Sequence, residues 1–383
     1  MATAIILLQF AVVLALIFKG ARVGGIGLGI YGMVGVFILV FIFGLKPGNL
    51  PIDVMLIIVS VITAAATLQA AGGLDYLVGL AAKFLRKHPT HITYFGPLTT
   101  WLFCLVAGTA HTSYSLLPII SEIATNSKIR PERPLSVATI SASLGITGSP
   151  VSAATAAVIS TDLLGGAGIE LKHILIVCIP ASLIAILVAA FVQNRIGKEL
   201  NEDEIYQERV RQGIINPEKD SKLIDNMIKN PDPHAKYAVM AFLLGVLLVV
   251  IFGSAWMGDT FFNGNLEFFK GHIASIVTQY PFLFAIALFI MAIMLFSQAA
   301  TVRTLYPLGI GLGISPLALI AMFPAVNGYF FLPNYPTTVA AINFDRTGST
   351  RIGRFVINHS FQLAGFITTF VSIGVGYIII QFL

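Results

Sequence analysis

The sequence predicts an all-α polytopic membrane protein, and three observations lead to this fold class. Of its 383 residues, 56% are hydrophobic and only 11% are charged, whereas soluble proteins carry about 25% charged residues. The mean hydropathy is +0.87, and apolar runs of roughly 20 residues, the length of a spanning helix, recur along the chain. Because these runs are continuous rather than alternating, they do not fit a β-barrel.

The apolar runs define the expected spans in chain order. Uninterrupted runs occupy residues 4–18, 24–44, 54–71, 172–192, 237–257 and 355–381, and interrupted runs occupy 92–125, 134–160, 281–315 and 316–343. Cys104 and Cys178 lie inside apolar segments, so they indicate neither a disulfide nor a metal site. The basic residues are spread over short loops, which argues against nucleic-acid binding.

The positions of the basic residues orient the spans. Lys19 and Arg22 follow the first span, which predicts an external N-terminus. The basic clusters at 83–87 and 128–133 then both fall inside, although one apolar segment separates them. A re-entrant hairpin over 92–125 reconciles these positions, with its tip at "AGTAHTS" (107–113). The same counting predicts that both termini are periplasmic.

The second half repeats this plan in the opposite orientation. The stretch "RPLSVATISASLGITGSPVSAATAAVIS" (133–160) resembles "SPLALIAMFPAVNGYFFLPNYPTTVAAI" (315–342), and "GTAHTSYSLLP" (108–118) resembles "SQAATVRTLYP" (297–307). Weak internal similarity with opposite orientation is typical of inverted-repeat transporters. We therefore expect a first repeat at 1–192, a second repeat at 237–383, and between them a cytoplasmic loop at 193–236 whose many charges lie at the surface.

Each repeat contains a span interrupted by proline and glycine. The breaks fall at 147–150 in the first repeat, and at 327–328 and 333–336 in the second. Backbone left unpaired at membrane depth must be buried in protein or line a cavity. The half-helix after a break presents N–H groups and a positive dipole end, which suits an anion bound near the midplane. The alternative is that these residues only kink packed helices.

The candidate substrate-binding residues are the polar and break-forming residues of the two hairpin tips and the two breaks. They are Gly108, Thr109, His111, Thr112, Ser113, Thr147, Gly148, Ser149, Pro150, Ser297, Gln298, Thr301, Arg303, Asn327, Asn334, Tyr335, Thr337 and Thr338. Individually, a serine or threonine in a span more often bonds its own backbone.

Arg303 is the strongest single signal among them. It is a lone cation in the second hairpin; such a charge costs about 2.5–3.5 kcal/mol on insertion scales and is a functional hypothesis by default. Its planar fork matches a carboxylate bidentately, although it could instead extend to the membrane interface. His111, at the first tip, could bond the substrate, titrate, or serve only in packing.

Several stretches resemble the Dcu family of anaerobic C4-dicarboxylate transporters from Gram-negative bacteria. They include "ARVGGIGLGI", "LKPGNLPIDV", "LQAAGGLDYLV", "IRPERPLSVA", "ITGSPVSAA", "SQAAT" and "GISPLALIAMFPAVNGYFFLPNYPTTVAAINFDRTGSTRIG". The resemblance covers nearly the whole chain and is greatest to the branch that exchanges external fumarate for internal succinate. It implies an inner-membrane antiporter of fumarate, succinate, malate and aspartate.

The resemblance also implies an elevator-type fold similar to the ion-transporter superfamily, and a homodimer whose transport domains slide past a scaffold. One departure is plain. Family members carry further residues, roughly two spans, between Phe252 and Ala255, where "VVIF" here runs almost directly into "GSAWMGDTFF".

Other functions remain as alternatives. No intramembrane pair of acidic residues suggests a sodium or proton relay, which favours exchange, but a sodium-coupled uptake carrier of the same fold could bind sodium through backbone carbonyls at the breaks. No nucleophile elbow, metal-ligand cluster or phosphate loop supports an enzyme or a cofactor. The loop at 193–236 is long enough to dock a membrane sensor kinase, although no motif in it indicates one.

Overall fold

A computed structural model describes residues 2–23, 26–47, 73–160, 163–213, 215, 282–295, 297–333, 335–352 and 358–383, which are mostly helical and contain no β-strand. The expected spans at 54–71 and 237–257, half of the loop at 193–236, and Asn334 lie outside the described residues. The helices of the first half are α1 (Ala2–Val23), α2 (Ile26–Phe37, continued by a π-helical turn, Ile38–Ile42), α3 (Gly73–Lys87), α4 (Ile92–Ala107), α5 (Ser113–Asn126), α6 (Glu132–Thr147), α7 (Ala153–Val158) and α8 (Leu171–Gln193). They are followed by α9 (Glu204–Arg211), α10 (Phe282–Leu295), α11 (Gln298–Gly311), α12 (Pro316–Met322), a 3₁₀ segment (Phe323–Phe330), α13 (Pro336–Phe344) and α14 (Gln362–Ile379).

Two of the described helices are long and apolar enough to cross a membrane alone. They are α8 and the helix made by α14 with the short turn after it, with hydropathies of 2.9 and 2.1. The two pack against each other. The other apolar helical stretches have 10–17 residues. Phe282–Ile293 and Pro316–Phe330 lie in interrupted runs, whereas Ala4–Leu16 and Ile30–Ile42 lie in runs predicted to be uninterrupted.

Two of the interrupted runs each contain a pair of helices joined by a short turn. In the first, α4 ends at Gly108, whose φ of 68° is left-handed, a conformation that glycine adopts without steric cost. In the second, α11 begins after Ser297, whose hydroxyl accepts a hydrogen bond from the N–H of Ala300 at 3.2 Å. In each pair the two helices pack on each other. Their re-entry from one side of a membrane stays a prediction.

The other two interrupted runs also contain breaks. In the first, α6 ends at Thr147 and α7 begins at Ala153. In the second, regular helix stops earlier than the sequence suggests, and the buried 3₁₀ segment Phe323–Phe330 separates α12 from α13. Pro324 lies at the start of this segment, where it cannot donate a backbone hydrogen bond. A 3₁₀ stretch of eight residues is uncommon, since most have three or four.

The helices before and after each break pack on different partners. Before the breaks, α6 packs along α4 and α8, while α12 packs on α14 and the 3₁₀ segment packs on α10. After the breaks, α7 packs on α11 and α13 packs on α5. Each half therefore places its second half-helix against the hairpin of the other half, and the two halves are interlocked.

The expectation that the charges after residue 193 lie at the surface agrees with Glu199, whose side chain is 55% exposed, but not with Asp203, whose side chain is 13% exposed. Asp203 bonds Arg130 at 2.5 Å and Glu199 bonds Arg133 at 2.9 Å. Both arginines are buried. These charges are paired because the segment folds back onto the turn before α6, which the sequence pattern alone does not reveal.

Candidate functional site

Gln298 connects three of the predicted features. It lies at the start of α11, and its Nε2 donates to the backbone oxygen of Ser143 in α6 at 2.9 Å. The same nitrogen bonds Oδ1 of Asn327 and lies 3.2 Å from the Tyr329 hydroxyl, both in the 3₁₀ segment. A single buried amide thus joins the second hairpin tip to both broken spans. Sequence reasoning missed Ser143 and Tyr329, although a tyrosine beside a helix break is a signal, since a buried phenol needs a polar partner.

The bond from Gln298 fixes the orientation of the Asn327 amide, but only the oxygen of that amide has a partner among the described residues. Asn327 is 2% exposed, and among the described residues its Nδ2 has no hydrogen-bond partner. A buried donor left without a partner costs about 1–3 kcal/mol. Ser141 Oγ on α6 and Thr304 Oγ1 on α11 are buried without a partner in the described residues as well. Of these three groups, Asn327 Nδ2 belongs to the amide cluster around Gln298.

Aromatic rings extend this cluster along the second break. The rings of Tyr329 and Tyr335 lie 4.2 Å apart between centroids. Tyr335 directly precedes α13 and provides no side-chain cap for it. Thr337 and Thr338 follow in the first turn of α13 and are each 1% exposed. The first turn of α13 thus carries two buried hydroxyls, while Tyr335 is half-buried and Pro336 is exposed. An anion near this turn would benefit from the helix dipole.

The hydroxyls at the first hairpin tip mainly bond the tip itself. Thr109 Oγ1 accepts from the N–H of His111 at 3.3 Å, Thr112 Oγ1 donates to the Thr109 carbonyl at 3.1 Å, and Ser113 Oγ donates to the Ala110 carbonyl at 2.7 Å. His111 is exposed and stacks on Tyr114 at 5.8 Å. These contacts shape the turn, as sequence statistics for serine and threonine lead one to expect.

The first break docks onto this tip. Ser149 Oγ donates to the backbone oxygen of Leu105 at 2.5 Å, and a Cβ at Gly108 would lie 2.6 Å from the backbone oxygen of Val151. Thr147 Oγ1 bonds the Leu144 carbonyl at 2.8 Å. Gly148 caps α6 and Pro150 is exposed. The first tip and the first break thus form one packed unit.

A side-chain cap, Ser152, already occupies the N-terminus of α7. The helix has only six residues, and the Ser152 hydroxyl accepts from the N–H of Thr155 at 3.1 Å. The sequence predicts free N–H groups after both breaks. The geometry makes α13, with nine residues and no side-chain cap, the better candidate for binding an anion.

Arg303 is buried between the two halves. It is 8% exposed, and its Nη1 donates to the Ser160 hydroxyl, two residues after α7, at 3.2 Å. The guanidinium is therefore covered by protein and bonds a residue of the other half. Thr301, on the same helix, bonds the Ser297 carbonyl at 2.7 Å. Gln298 and Arg303 therefore contact different elements. Gln298 bonds α6 and the 3₁₀ segment, whereas Arg303 bonds a residue that follows α7.

We expect Gln298→Leu to lower the stability of the detergent-solubilised protein. The change leaves the Ser143 carbonyl and the Asn327 amide without their buried partner, at about 1–3 kcal/mol for each unsatisfied group. The midpoint of thermal unfolding should fall by several degrees, at roughly 2–4 °C per kcal/mol. Gln212→Leu is the matched control, because Gln212 is exposed and bonds only Glu208 on α9. Equal midpoints for the two variants would contradict a structural role for the Gln298 amide.

Comparison with known proteins identifies the family. The chain matches the family described as "Anaerobic c4-dicarboxylate membrane transporter" in two blocks, residues 5–254 and 248–383. It is 38% identical to C4-dicarboxylate transporter DcuA of Wolinella succinogenes over 432 residues, which cover 97% of this chain and 98% of the relative. It is 36% identical to DcuA of Escherichia coli K12 over 440 residues, covering 99% of this chain and all of the relative. Anaerobic C4-dicarboxylate transporter DcuB of Escherichia coli O6:H1 is 34% identical over 442 residues, with 97% of both chains covered.

These alignments also locate the difference in length. They run over 432 to 442 positions, whereas this chain has 383 residues. The two blocks that match the family meet at 248–254, which includes the point where the sequence predicts a missing stretch. The relatives are named as transporters, so the chain is a transporter and not an enzyme. It belongs to the DcuA/DcuB family of anaerobic C4-dicarboxylate membrane transporters.

Proposed function

We propose that this protein exchanges fumarate, malate or aspartate for succinate across the bacterial inner membrane by alternating access. Membership of the family supports the C4-dicarboxylate class. The single observation that carries the proposal is the burial of Arg303 between the two halves. A buried cation in an apolar protein is costly, and an anionic substrate is a ligand that it favours.

The substrate site would combine this charge with the amide cluster. One carboxylate would accept hydrogen bonds from Arg303, whose fork can bond both oxygens. The other would accept from the Asn327 amide and from the N-terminus of α13, which adds about 0.3–1 kcal/mol, or up to ~2 kcal/mol when partly buried. The remaining predicted residues of the first tip and the first break would shape the site through their packing.

This arrangement accounts for exchange rather than net uptake. Without substrate, the positive groups of the site resist passage through a medium of low dielectric constant, where charges are poorly solvated. A bound dianion compensates them, so the loaded site crosses and the empty site does not. The packing of α7 on α11 and of α13 on α5 supports an inverted repeat, in which alternating access follows from pseudo-symmetry.

Other expectations belong to this proposal. We infer a homodimer in which a transport domain slides past a scaffold, re-entrant hairpins, and periplasmic termini. A membrane sensor kinase is a further candidate partner. These rest on the family resemblance and on the distribution of basic residues.

Counterflow in proteoliposomes tests the proposal. Vesicles loaded with unlabelled succinate should take up labelled fumarate, and empty vesicles should not, with or without a sodium gradient. Sodium-dependent uptake into empty vesicles would replace the exchanger with the symporter of the same fold. If loaded vesicles show no uptake, the same assay on a chain carrying a relative's extra residues after Phe252 separates a missing segment from a wrong substrate.

A further inference from the structure

The N-terminal end of α9 is hydrogen-bonded to the turn that precedes α6. Asp203 caps α9 by accepting hydrogen bonds from the N–H groups of Ile205 and Tyr206 at 2.9 and 3.2 Å. Its other oxygen accepts from Arg130 at 2.5 Å. The two side chains are 13% and 8% exposed. In addition, Lys128 Nζ donates to the Tyr206 hydroxyl at 3.1 Å.

The Asp203–Arg130 contact is an ion pair at neutral pH. Burial opposes ionisation of Asp203, but the N–H of Tyr206 and the Arg130 guanidinium together lower the pKa of its carboxyl below the ordinary value. A shielded pair of this kind is weakened little by salt compared with exposed pairs. Arg130 also pairs with Glu132 through its Nε at 2.6 Å, so removing the Asp203 charge detaches α9 from this turn while Arg130 keeps a carboxylate partner.

The last turn of α9 contacts the second half of the protein. Arg209 Nη1 donates to the backbone oxygen of Arg346 at 2.6 Å. Its guanidinium carbon lies 2.6 Å from where a Cβ at Gly348 would stand, and Gly348 has a φ of 77°. The left-handed φ favours glycine at this position, and the absent side chain leaves room for the guanidinium. Arg209 therefore covers the turn that follows α13.

The two turns that α9 contacts also bond each other. The N–H of Glu132 donates to Ser349 Oγ at 3.0 Å, and Ser360 Oγ donates to the Glu132 carboxylate at 2.6 Å. The helix α6 begins at Glu132 and leads to the first break, whereas α13 comes from the second break and ends at Phe344. Each turn thus lies at the end of a half-helix that is farther from the break. At 1.5 Å per residue, the turn before α6 is about 24 Å from the first break, and the turn after α13 is about 14 Å from the second.

We propose that α9 is a staple, a short helix that fixes the turn at 128–133 to the turn at 345–350 so that the two broken spans move as one body. Its physical basis is the pair of contacts at the two ends of α9. Asp203 bonds Arg130, 73 positions earlier in the sequence, and Arg209 bonds Arg346, 137 positions later. The effect on transport rests on the proposed exchange function, whereas the joining of the turns does not.

Arg209→Gln in the full chain tests the staple, with Arg211→Gln as the matched control. Arg211 carries the same charge on the same helix, but its side chain is 74% exposed and its ion pair is with Glu208 on α9 itself. Asp203→Asn is the second test, because asparagine still caps a helix but cannot form the ion pair. Its control is Glu208→Gln.

The first measurement is amide hydrogen exchange over residues 345–351. It should be about tenfold faster in Arg209→Gln and in Asp203→Asn than in the wild type or the controls, as expected for a local opening made easier by a lost charged hydrogen bond. If the amide hydrogens of residues 345–351 exchange at the same rate in Arg209→Gln and Arg211→Gln, the staple is overturned, whether or not the wild type transports dicarboxylates.

The second measurement is counterflow of fumarate against succinate. The staple predicts a several-fold lower maximal rate in Arg209→Gln and an unchanged half-saturating concentration, because the variant residue lies outside the substrate site. A normal rate together with faster amide exchange overturns the role of α9 in transport. If neither the wild type nor the chain carrying a relative's extra residues after Phe252 exchanges these substrates, the proposed function is refuted, and the amide measurement still decides the staple.

Discussion

Arg303→Ala is expected to abolish dicarboxylate exchange. Arg303 is 8% exposed and its guanidinium bonds Ser160 in the other half of the protein, so in the proposed site it would bind a carboxylate at low dielectric constant. Removing one partner of a buried, hydrogen-bonded charge pair costs about 2–5 kcal/mol or more, which is roughly 30-fold to several thousand-fold in affinity. The measurement is counterflow at several succinate concentrations, together with the amount of folded protein in the membrane.

Arg303→Lys separates charge from geometry. Lysine keeps the positive charge but lacks the planar fork that bonds two carboxylate oxygens together. We expect partial activity with a raised half-saturating concentration. Arg195→Ala is the control, because Arg195 lies beside the Phe191 ring at the exposed end of α8 and should leave exchange intact. Wild-type rates in folded Arg303→Ala would remove charge recognition from the mechanism.

Glycine and proline mark the helix breaks in the sequence, so the breaks were predicted approximately, although in the second broken span regular helix ends at Met322, before the predicted positions 327–328 and 333–336. Gly108 and Pro324 act through backbone geometry and the loss of a donor, effects that hold in any environment. The burial of Arg303 was one of two alternatives that the sequence left open. It depends on which face of α11 meets the other half, and that face is set by tertiary packing.

The partners of the polar side chains were less predictable. The hydroxyls of Thr112, Ser113, Thr147 and Thr301 bond nearby carbonyls, whereas the Gln298 amide reaches two other elements. Spacing along a single helix does not distinguish these outcomes. The contacts of α9 were missed for a related reason, since a charged segment has the same composition whether it is solvated or paired.

Alanine at both Gly145 and Gly328 is expected to prevent stable packing of the hairpins on the broken spans. A Cβ at Gly145 would lie 2.6 Å from the backbone oxygen of Trp101 in α4, and a Cβ at Gly328 would meet the backbone oxygen of Phe289 in α10 even more closely. A backbone carbonyl within a helix cannot rotate away, so the helices must separate. Overpacking of this kind costs typically 1–3 kcal/mol at each site, a large fraction of the 5–15 kcal/mol that stabilises a typical protein.

Gly374→Ala is the matched control for these two changes. Gly374 lies in α14, and a Cβ added there would have no atom within 4 Å. Alanine there should be neutral or stabilising by about 0.5–1 kcal/mol, because glycine is a poor helix former. Thermal unfolding in detergent and the yield of monodisperse protein should therefore fall for Gly145→Ala and Gly328→Ala but not for Gly374→Ala. Because the two glycines occupy equivalent contacts, α6 on α4 and the 3₁₀ segment on α10, similar losses at both sites would support equivalent packing in the two halves. A loss at only one site would show that the two hairpins are held by different means.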